Sequence, residues 1–147
     1  MPSPIGIPAN DTARRDAIRE AADPLYSAAH GDATHFDIYS TEDGGLWRIV
    51  IRYVPGASLD SLQPLVPAGA PVEWLPSQYS LADLRRIQDE IGGMGLLGTR
   101  ISTIGVDSAD NAVMVETPVD DPELQQELTT KYGGAVRFSI GVMPQPL

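Results

Sequence analysis

The sequence predicts an α+β fold in which two β-β-α-β subdomains, each a three-stranded mixed sheet covered by a helix, are joined by a central helix and preceded by an N-terminal helix. Three observations lead to this prediction. Apolar and polar residues alternate in several short segments, as in half-buried strands. In other segments apolar residues recur every three to four positions, as in amphipathic helices. The order strand, turn, strand, helix, strand occurs twice, which indicates two similar layered units.

The N-terminal part of the chain divides into an extended arm and a helical segment. Residues 1–9 contain three prolines, which disfavour a helix and predict an extended arm. Residues 10–31 carry apolar side chains at helical spacing and predict a helical segment. Asp23 and Pro24 are predicted to end this helix and to begin a second, shorter one, because proline is favoured at the first position of a helix. Gly31 is the predicted end.

The first subdomain is predicted over residues 36–76. Residues 36–40 and 46–54 form a hairpin around a glycine-containing turn, because the second segment alternates with a period of two. A short helix over residues 58–65 and a strand over residues 72–75 complete the unit. A right-handed crossover makes this last strand parallel to the second.

A linking helix is predicted over residues 80–92, between the two subdomains. Ser80 is its predicted N-cap. Its apolar stripe has the spacing of one helix face and consists of Leu81, Leu84, Ile87 and Ile91.

The second subdomain is predicted over residues 100–141 and repeats the pattern of the first. Its hairpin strands are followed by a helix at residues 121–132 and a last strand in which Val136, Phe138 and Ile140 alternate with polar residues. Residues 142–147 contain two prolines and predict an extended tail.

Charge and composition exclude several classes of function. The 147 residues carry a net charge of −10, and residues 1–75 and 76–147 each hold five basic and ten acidic side chains. Because no basic face is expected, nucleic-acid binding is not predicted. The absence of cysteine excludes disulfides, a cysteine nucleophile and cysteine-bound zinc. No run of about 20 apolar residues is present, so membrane insertion is not predicted.

Two motifs resemble ligand sites but fit a structural interpretation better. Residues 93–98 match G-x-G-x-x-G, yet they follow a predicted helix and precede a predicted strand, the reverse of a dinucleotide site. His30, Asp32, His35 and Asp37 could together hold a divalent metal, but their spacing is not that of an established site. Two loop histidines before a strand are the favoured interpretation.

Acidic residues of the second half have similar structural interpretations. Asp107, Asp110 and Asn111 resemble part of a calcium loop but lack its glycine and distal glutamate, so a hairpin turn is favoured. The acids of residues 118–123 lie at a predicted helix start, where they complement the helix dipole. Aromatic side chains are expected mainly on packed sheet faces, and an aromatic binding surface is the minor alternative.

The sequence predicts a protein without enzymatic activity. It contains no nucleophile elbow, no phosphate-binding loop and no H-E-x-x-H motif. With two histidines, no cysteine and one lysine, candidate general bases are scarce. No catalytic residue, metal site or cofactor is therefore predicted.

Several short motifs resemble a known family in their order along the chain. These are Y-S-L-A-D-L at residues 79–84, G-V-D followed by N-A-V-M-V within residues 105–115, K-Y-G at residues 131–133, and A-V-R-F at residues 135–138. In this order they resemble the prosegments of bacterial chymotrypsin-like serine proteases of the alpha-lytic protease and streptogrisin type. The resemblance covers residues 36–141 and implies the same two-subdomain α+β fold.

The resemblance also implies a function, since such prosegments template the folding of their protease and then inhibit it. It implies a chymotrypsin-like serine protease as the protein partner, bound by strand addition along the last strand and by a tail lying in the substrate cleft. The implied partner-binding residues are Val136, Phe138, Ile140, Val142, Met143 and Leu147.

Two questions stay open at the level of sequence. No protease domain follows Leu147, so the chain is either an excised prosegment or a free-standing domain. The alternative function is a structural or assembly subunit of a larger phage or cell-envelope complex, because catalytic groups are scarce and the extended, proline-rich arms at both ends would reach neighbours. No signal peptide is evident, which indicates the cytoplasm for the chain as written, whereas a removed signal would place it outside the cell.

Overall fold

The computed structural model describes residues 5–141 of the chain. They fold as a mixed α+β protein with two separate sheets, which confirms the predicted fold class. The strands are β1 (Ile7–Pro8), β2 (Phe36–Asp43), β3 (Leu46–Tyr53), β4 (Val72–Pro76), β5 (Thr103–Asp107), β6 (Ala112–Thr117) and β7 (Val136–Ile140). The helices are α1 (Thr12–Ala21), α2 (Asp23–His30), α3 (Leu81–Gly92) and α4 (Pro122–Tyr132). The chain divides into two compact units, Met1–Ser80 and Leu81–Leu147.

The sheet of the first unit is organised around β3. β2 pairs antiparallel with β3 along its whole length, from Phe36 opposite Tyr53 to Asp43 opposite Leu46. The other side of β3 is shared by two strands, because β1 pairs antiparallel with its first two residues and β4 pairs parallel with residues 49–53. The sheet therefore has four strands, not the three that were predicted. The additional strand is β1, which lies in the segment that was expected to be an extended arm.

The hairpin between β2 and β3 is closed by two glycines. Gly44 and Gly45 have φ angles of 61° and 78°, the left-handed values that a two-residue type I′ turn requires at both positions. This turn matches the right-handed twist of the flanking strands. The register of the eight facing pairs is fixed by this short connection.

Helices α1 and α2 cover the first sheet. Their buried side chains share one core with alternate residues of β2 and β3, and this core consists of Ile7, Ile18, Ala22, Leu25, Ala29, Phe36, Ile38, Trp47, Ile49, Ile51 and Leu62. Asp11 caps α1 through the Arg14 amide, and Pro24 lies at the start of α2. The helix predicted over residues 58–65 is instead two short 3-10 turns, Leu59–Ser61 and Gln63–Leu65, because Pro64 removes a helical donor.

The second unit is a three-stranded sheet in the order β5-β6-β7. β5 and β6 are antiparallel and β6 and β7 are parallel. α3 packs against β5 and β6, and α4 packs against β7. The apolar stripe predicted for α3 is buried in this unit, at Leu81, Leu84, Ile87 and Ile91. The helix expected between the subdomains is thus part of the second unit.

Candidate functional site

β7 is an edge strand of the second sheet. Its one neighbour is β6, with Val113 opposite Val136 at one end and Thr117 opposite Ile140 at the other. Within residues 5–141, no strand pairs with the other side of β7. A strand with one unpaired side presents a row of backbone donors and acceptors that another chain can use.

The hydrogen bond at the end of β7 shows which of its backbone groups face outward. The amide of Gly141 donates to the carbonyl oxygen of Thr117 at 2.9 Å, so Gly141 points toward β6. Because the backbone groups of successive strand residues point in opposite directions, the amide and carbonyl groups of Phe138 and Ile140 point away from β6. Over residues 5–141, neither residue makes a backbone hydrogen bond outside the β6–β7 ladder.

The side chains of β7 become more exposed toward its C-terminal end. Val136 is buried, Phe138 is half-buried, and Ile140 is 63% exposed. All three lie on the face that also carries Val113 and Val115 of β6, where α4 packs. The strand is therefore anchored at its start and accessible at its end.

A second exposed apolar side chain lies at the same end of the sheet. Val119 is 66% exposed and follows β6 by two residues. The Thr117 hydroxyl donates to the Val119 carbonyl oxygen at 2.7 Å and fixes the chain where it leaves the sheet. Since Thr117 is opposite Ile140, both exposed side chains belong to this end. We call Val119 and Ile140 the apolar rim.

The opposite face of β7 carries a cation. Arg137 is about half exposed, and its Nη1 lies 3.7 Å from Oδ2 of Asp110, which is equally exposed. An exposed pair at this distance contributes little to stability. Ser139 follows on the same face and is half-buried.

An ion pair fixes the start of the helix that leads into β7. Nε and Nη2 of Arg100 each lie 3.0 Å from an oxygen of the Asp121 carboxylate, and Asp121 also caps α4 by accepting the Leu124 amide at 3.2 Å. The hydrogen bonds from Arg100 lower the pKa of Asp121 below its ordinary value, and the hydrogen bond from the Leu124 amide lowers it further by a smaller amount. This pairing raises the pKa of Arg100. The acids near residue 121 thus include a helix cap, in agreement with their predicted role.

The predicted binding residues are only partly within the described range. Val136, Phe138 and Ile140 lie together on β7, as their spacing indicates. Val142, Met143 and Leu147 lie outside the described residues. Val119 was not singled out from the sequence, because it lies between a proline and a group of acids that resembled a helix cap alone.

Of the four residues considered as metal ligands, the structure pairs His35 with Asp32, whereas His30 and Asp37 have other contacts. His35 Nδ1 lies 2.8 Å from Oδ1 of Asp32, and the Asp32 pKa is lowered first by this hydrogen bond. His30 instead contacts the ring of Tyr26 edge-on, with centroids 6.0 Å apart. Asp37 is buried in β2 and accepts the Ile38 amide. No cluster of potential metal ligands occurs among residues 5–141.

The other two motifs are connections between elements. Residues 93–98 join α3 to the second sheet, and Gly95 and Gly98 adopt positive φ angles of 75° and 86°. In the β5–β6 hairpin, the Asp107 carboxylate accepts the Asp110 amide at 3.1 Å, and Asn111 has a φ angle of 51°. Both arrangements are those of turns.

The first unit has a surface cavity of 380 Å³ lined in part by Ile5, Leu46, Arg48 and Glu73. Arg48 Nε donates to Glu73 at 2.7 Å, so the two charges are paired with each other. Because Arg48 and Glu73 are paired with each other, neither presents an unpaired charge to a ligand in this cavity.

No helix in the described range has both the length and the apolar character needed to cross a membrane. Comparison with known proteins yields no matching family model and no matching curated protein.

Proposed function

We propose that this chain is a non-enzymatic protein-binding domain that takes up an extended segment of a partner protein along β7. One observation supports this most strongly, namely the unpaired side of β7, where Phe138 and Ile140 present backbone groups away from β6. An added strand would satisfy these groups by main-chain hydrogen bonds.

The exposed side chain of Ile140 strengthens the argument for binding. Natural edge strands are commonly protected by charge, proline or a covering element. β7 carries one charged residue, Arg137, and ends in an apolar side chain that is 63% exposed. Such an end is suited to contact with another apolar surface.

The partner that we propose is a chymotrypsin-like serine protease, for which the chain would act as folding template and inhibitor. The support is the order of motifs over residues 36–141, which resembles that of alpha-lytic protease prosegments. We further propose that the two units are related copies of one β-β-α-β pattern, as the repeated order of strands and helix along the chain indicates. The parallel pairings β3–β4 and β6–β7 support the relationship.

The environment of the histidines supports a role without catalysis. His35 is paired with Asp32 on an exposed loop, and His30 contacts Tyr26. The hydroxyl of Thr34 lies 3.3 Å from His35 Nδ1, but it donates its proton to Oδ1 of Asp32 at 3.0 Å and is therefore not oriented toward the imidazole as a nucleophile would be. A histidine-aspartate pair alone lacks the nucleophile and oxyanion donors that acyl transfer needs.

An assembly subunit of a larger complex remains the alternative proposal. That interpretation used the proline-rich arms at both ends to reach neighbours. Within the described part of the first arm, Ile7 and Pro8 pair with β3 of their own unit, which leaves fewer residues for a neighbour.

Two variants of one residue test the strand-addition proposal. Ile140→Pro removes an outward amide that β6 does not use, whereas Ile140→Ser removes the apolar side chain and keeps the amide. The measurement is inhibition of a mature bacterial protease of the alpha-lytic type by the full-length chain. We expect Ile140→Pro to weaken inhibition by roughly fivefold or more, as for loss of one hydrogen bond.

The control is Ile5→Ser, which removes another exposed isoleucine from the first unit. It should inhibit like the unaltered chain. Equal inhibition by Ile140→Pro and the unaltered chain would exclude β7 as the docking strand. No inhibition by the unaltered chain would exclude the protease as partner.

A further inference from the structure

The two faces of β7 differ in chemistry, and an added strand must match both. One face begins at buried Val136 and ends at Ile140 of the apolar rim. The other face carries the half-exposed cation of Arg137. Side chains of a neighbouring strand stand beside those of β7 on the same face, about 5 Å away.

We infer that β7 selects an amphipathic partner strand, with apolar residues beside Phe138 and Ile140 and a carboxylate beside Arg137; this inference rests on the proposed function. It specifies the chemistry of the bound segment and applies to any protein partner that supplies such a strand.

The apolar requirement follows from the exposure of Phe138 and Ile140. Phe138 is half-buried and Ile140 is exposed, so an added strand would bring its own side chains against both. A polar side chain there would lose water without gaining a partner, because the neighbouring groups are hydrocarbon. Val119, two residues beyond β6 at the same end of the sheet, is a further exposed apolar side chain.

The acidic requirement follows from the weak pairing of Arg137. Its contact with Asp110 is 3.7 Å long, and both side chains are half exposed. A carboxylate on an added strand would approach the guanidinium from the unpaired side of β7. The neighbouring acid on β6, Glu116, is engaged by the Thr103 hydroxyl of β5 on the same face. A basic residue of the added strand beside Arg137 would instead meet a like charge.

Selection from a randomised library tests this inference without assuming a partner. Hairpins displayed on phage, randomised along one outer strand, are selected on the full-length chain and in parallel on Arg137→Glu and Ile140→Pro. We expect sequences selected on the unaltered chain to alternate, with apolar residues on one face and Asp or Glu on the other. On Arg137→Glu the acidic preference should change to Lys or Arg.

The affinities of the selected hairpins provide the quantitative check. An acidic hairpin should bind Arg137→Glu about threefold or more weakly than the unaltered chain, and a basic one should show the opposite order. Hairpins that bind both chains equally, or that lack alternation, would overturn the inference while leaving strand addition intact. Undiminished selection on Ile140→Pro would instead refute docking along β7, and with it the proposed function.

Discussion

Arg100 and Asp121 form a two-point ion pair in which Nε and Nη2 of the guanidinium each lie 3.0 Å from a carboxylate oxygen. The same carboxylate caps α4 through the Leu124 amide. One side chain therefore connects the segment before β5 to the helix that leads into β7.

Replacing Asp121 by asparagine should destabilise the second unit in a pH-dependent way. The folded-state pKa of Asp121 lies below its ordinary value of 3.8, so its stabilising effect is complete above that value and is lost as the pH falls through the lower one. We expect the variant to unfold at lower temperature near neutral pH. The difference should shrink over the pH range below about 4, where the carboxylate becomes protonated. A gap that stays constant over this range would contradict the assigned role of the carboxylate.

Replacing Gly6 by alanine should weaken the pairing of β1 with β3. Gly6 has a φ angle of 151°, and an added Cβ would lie 2.7 Å from the Cβ of Leu46 and 3.2 Å from the Trp47 carbonyl oxygen. We expect a loss of about 1–3 kcal/mol in the free energy of unfolding, as for other overpacked sites. Urea unfolding measures it. Gly105→Ala, at a site with open space and no positive φ, is the matched control and should be nearly neutral.

The hairpin turn provides a test of backbone conformation alone. No atom lies within 4 Å of a Cβ built on Gly44 or Gly45, so a substitution there creates no clash. Gly45→Ala should still lower stability by about 1 kcal/mol, because a left-handed φ disfavours alanine. Gly44→Asn should be tolerated, since asparagine adopts this conformation readily. Thermal unfolding of both variants would show the difference, and equal losses would argue against a type I′ turn.

Burial separates the structural residues of the second unit from the proposed binding residues. Leu84 of α3 is fully buried, so Leu84→Ala should lower the free energy of unfolding by about 3 kcal/mol. Ile140 is 63% exposed, and Ile140→Ser should change it by less than about 0.5 kcal/mol. Denaturant unfolding measures both. A large loss from Ile140→Ser would mean that this side chain serves stability instead of docking.

The strongly periodic elements could be predicted from the sequence, because their burial follows directly from side-chain spacing. The stripe on α3 is the clearest example, since all four predicted positions are buried. β1 could not be predicted, because two residues that include a proline show no periodicity. Its place beside β3 depends on a close approach at Gly6 that only the folded chain reveals.

The candidate site could be predicted only in part. Alternation in β7 was visible in the sequence, whereas its position at a sheet edge depends on the strand order β5-β6-β7. The exposure of Val119 could not be inferred, because an apolar residue among acids fits a buried or an exposed place equally well. Outside the site, the sequence around Pro64 predicted a helix but did not specify that it would form 3-10 turns.

The shared side of β3 has a consequence for how the first unit opens. Within the described residues, β3 is paired on both sides, and Ile49, Val50 and Ile51 at its centre are at most 1% exposed. Its central amides should therefore exchange with deuterium only when the whole unit unfolds, whereas β1, held through two residue pairs, should open locally and exchange early. Separation from β3 would leave β1, β2 and β4 without a common partner, so protection against exchange in this unit should be lost from its edges inward.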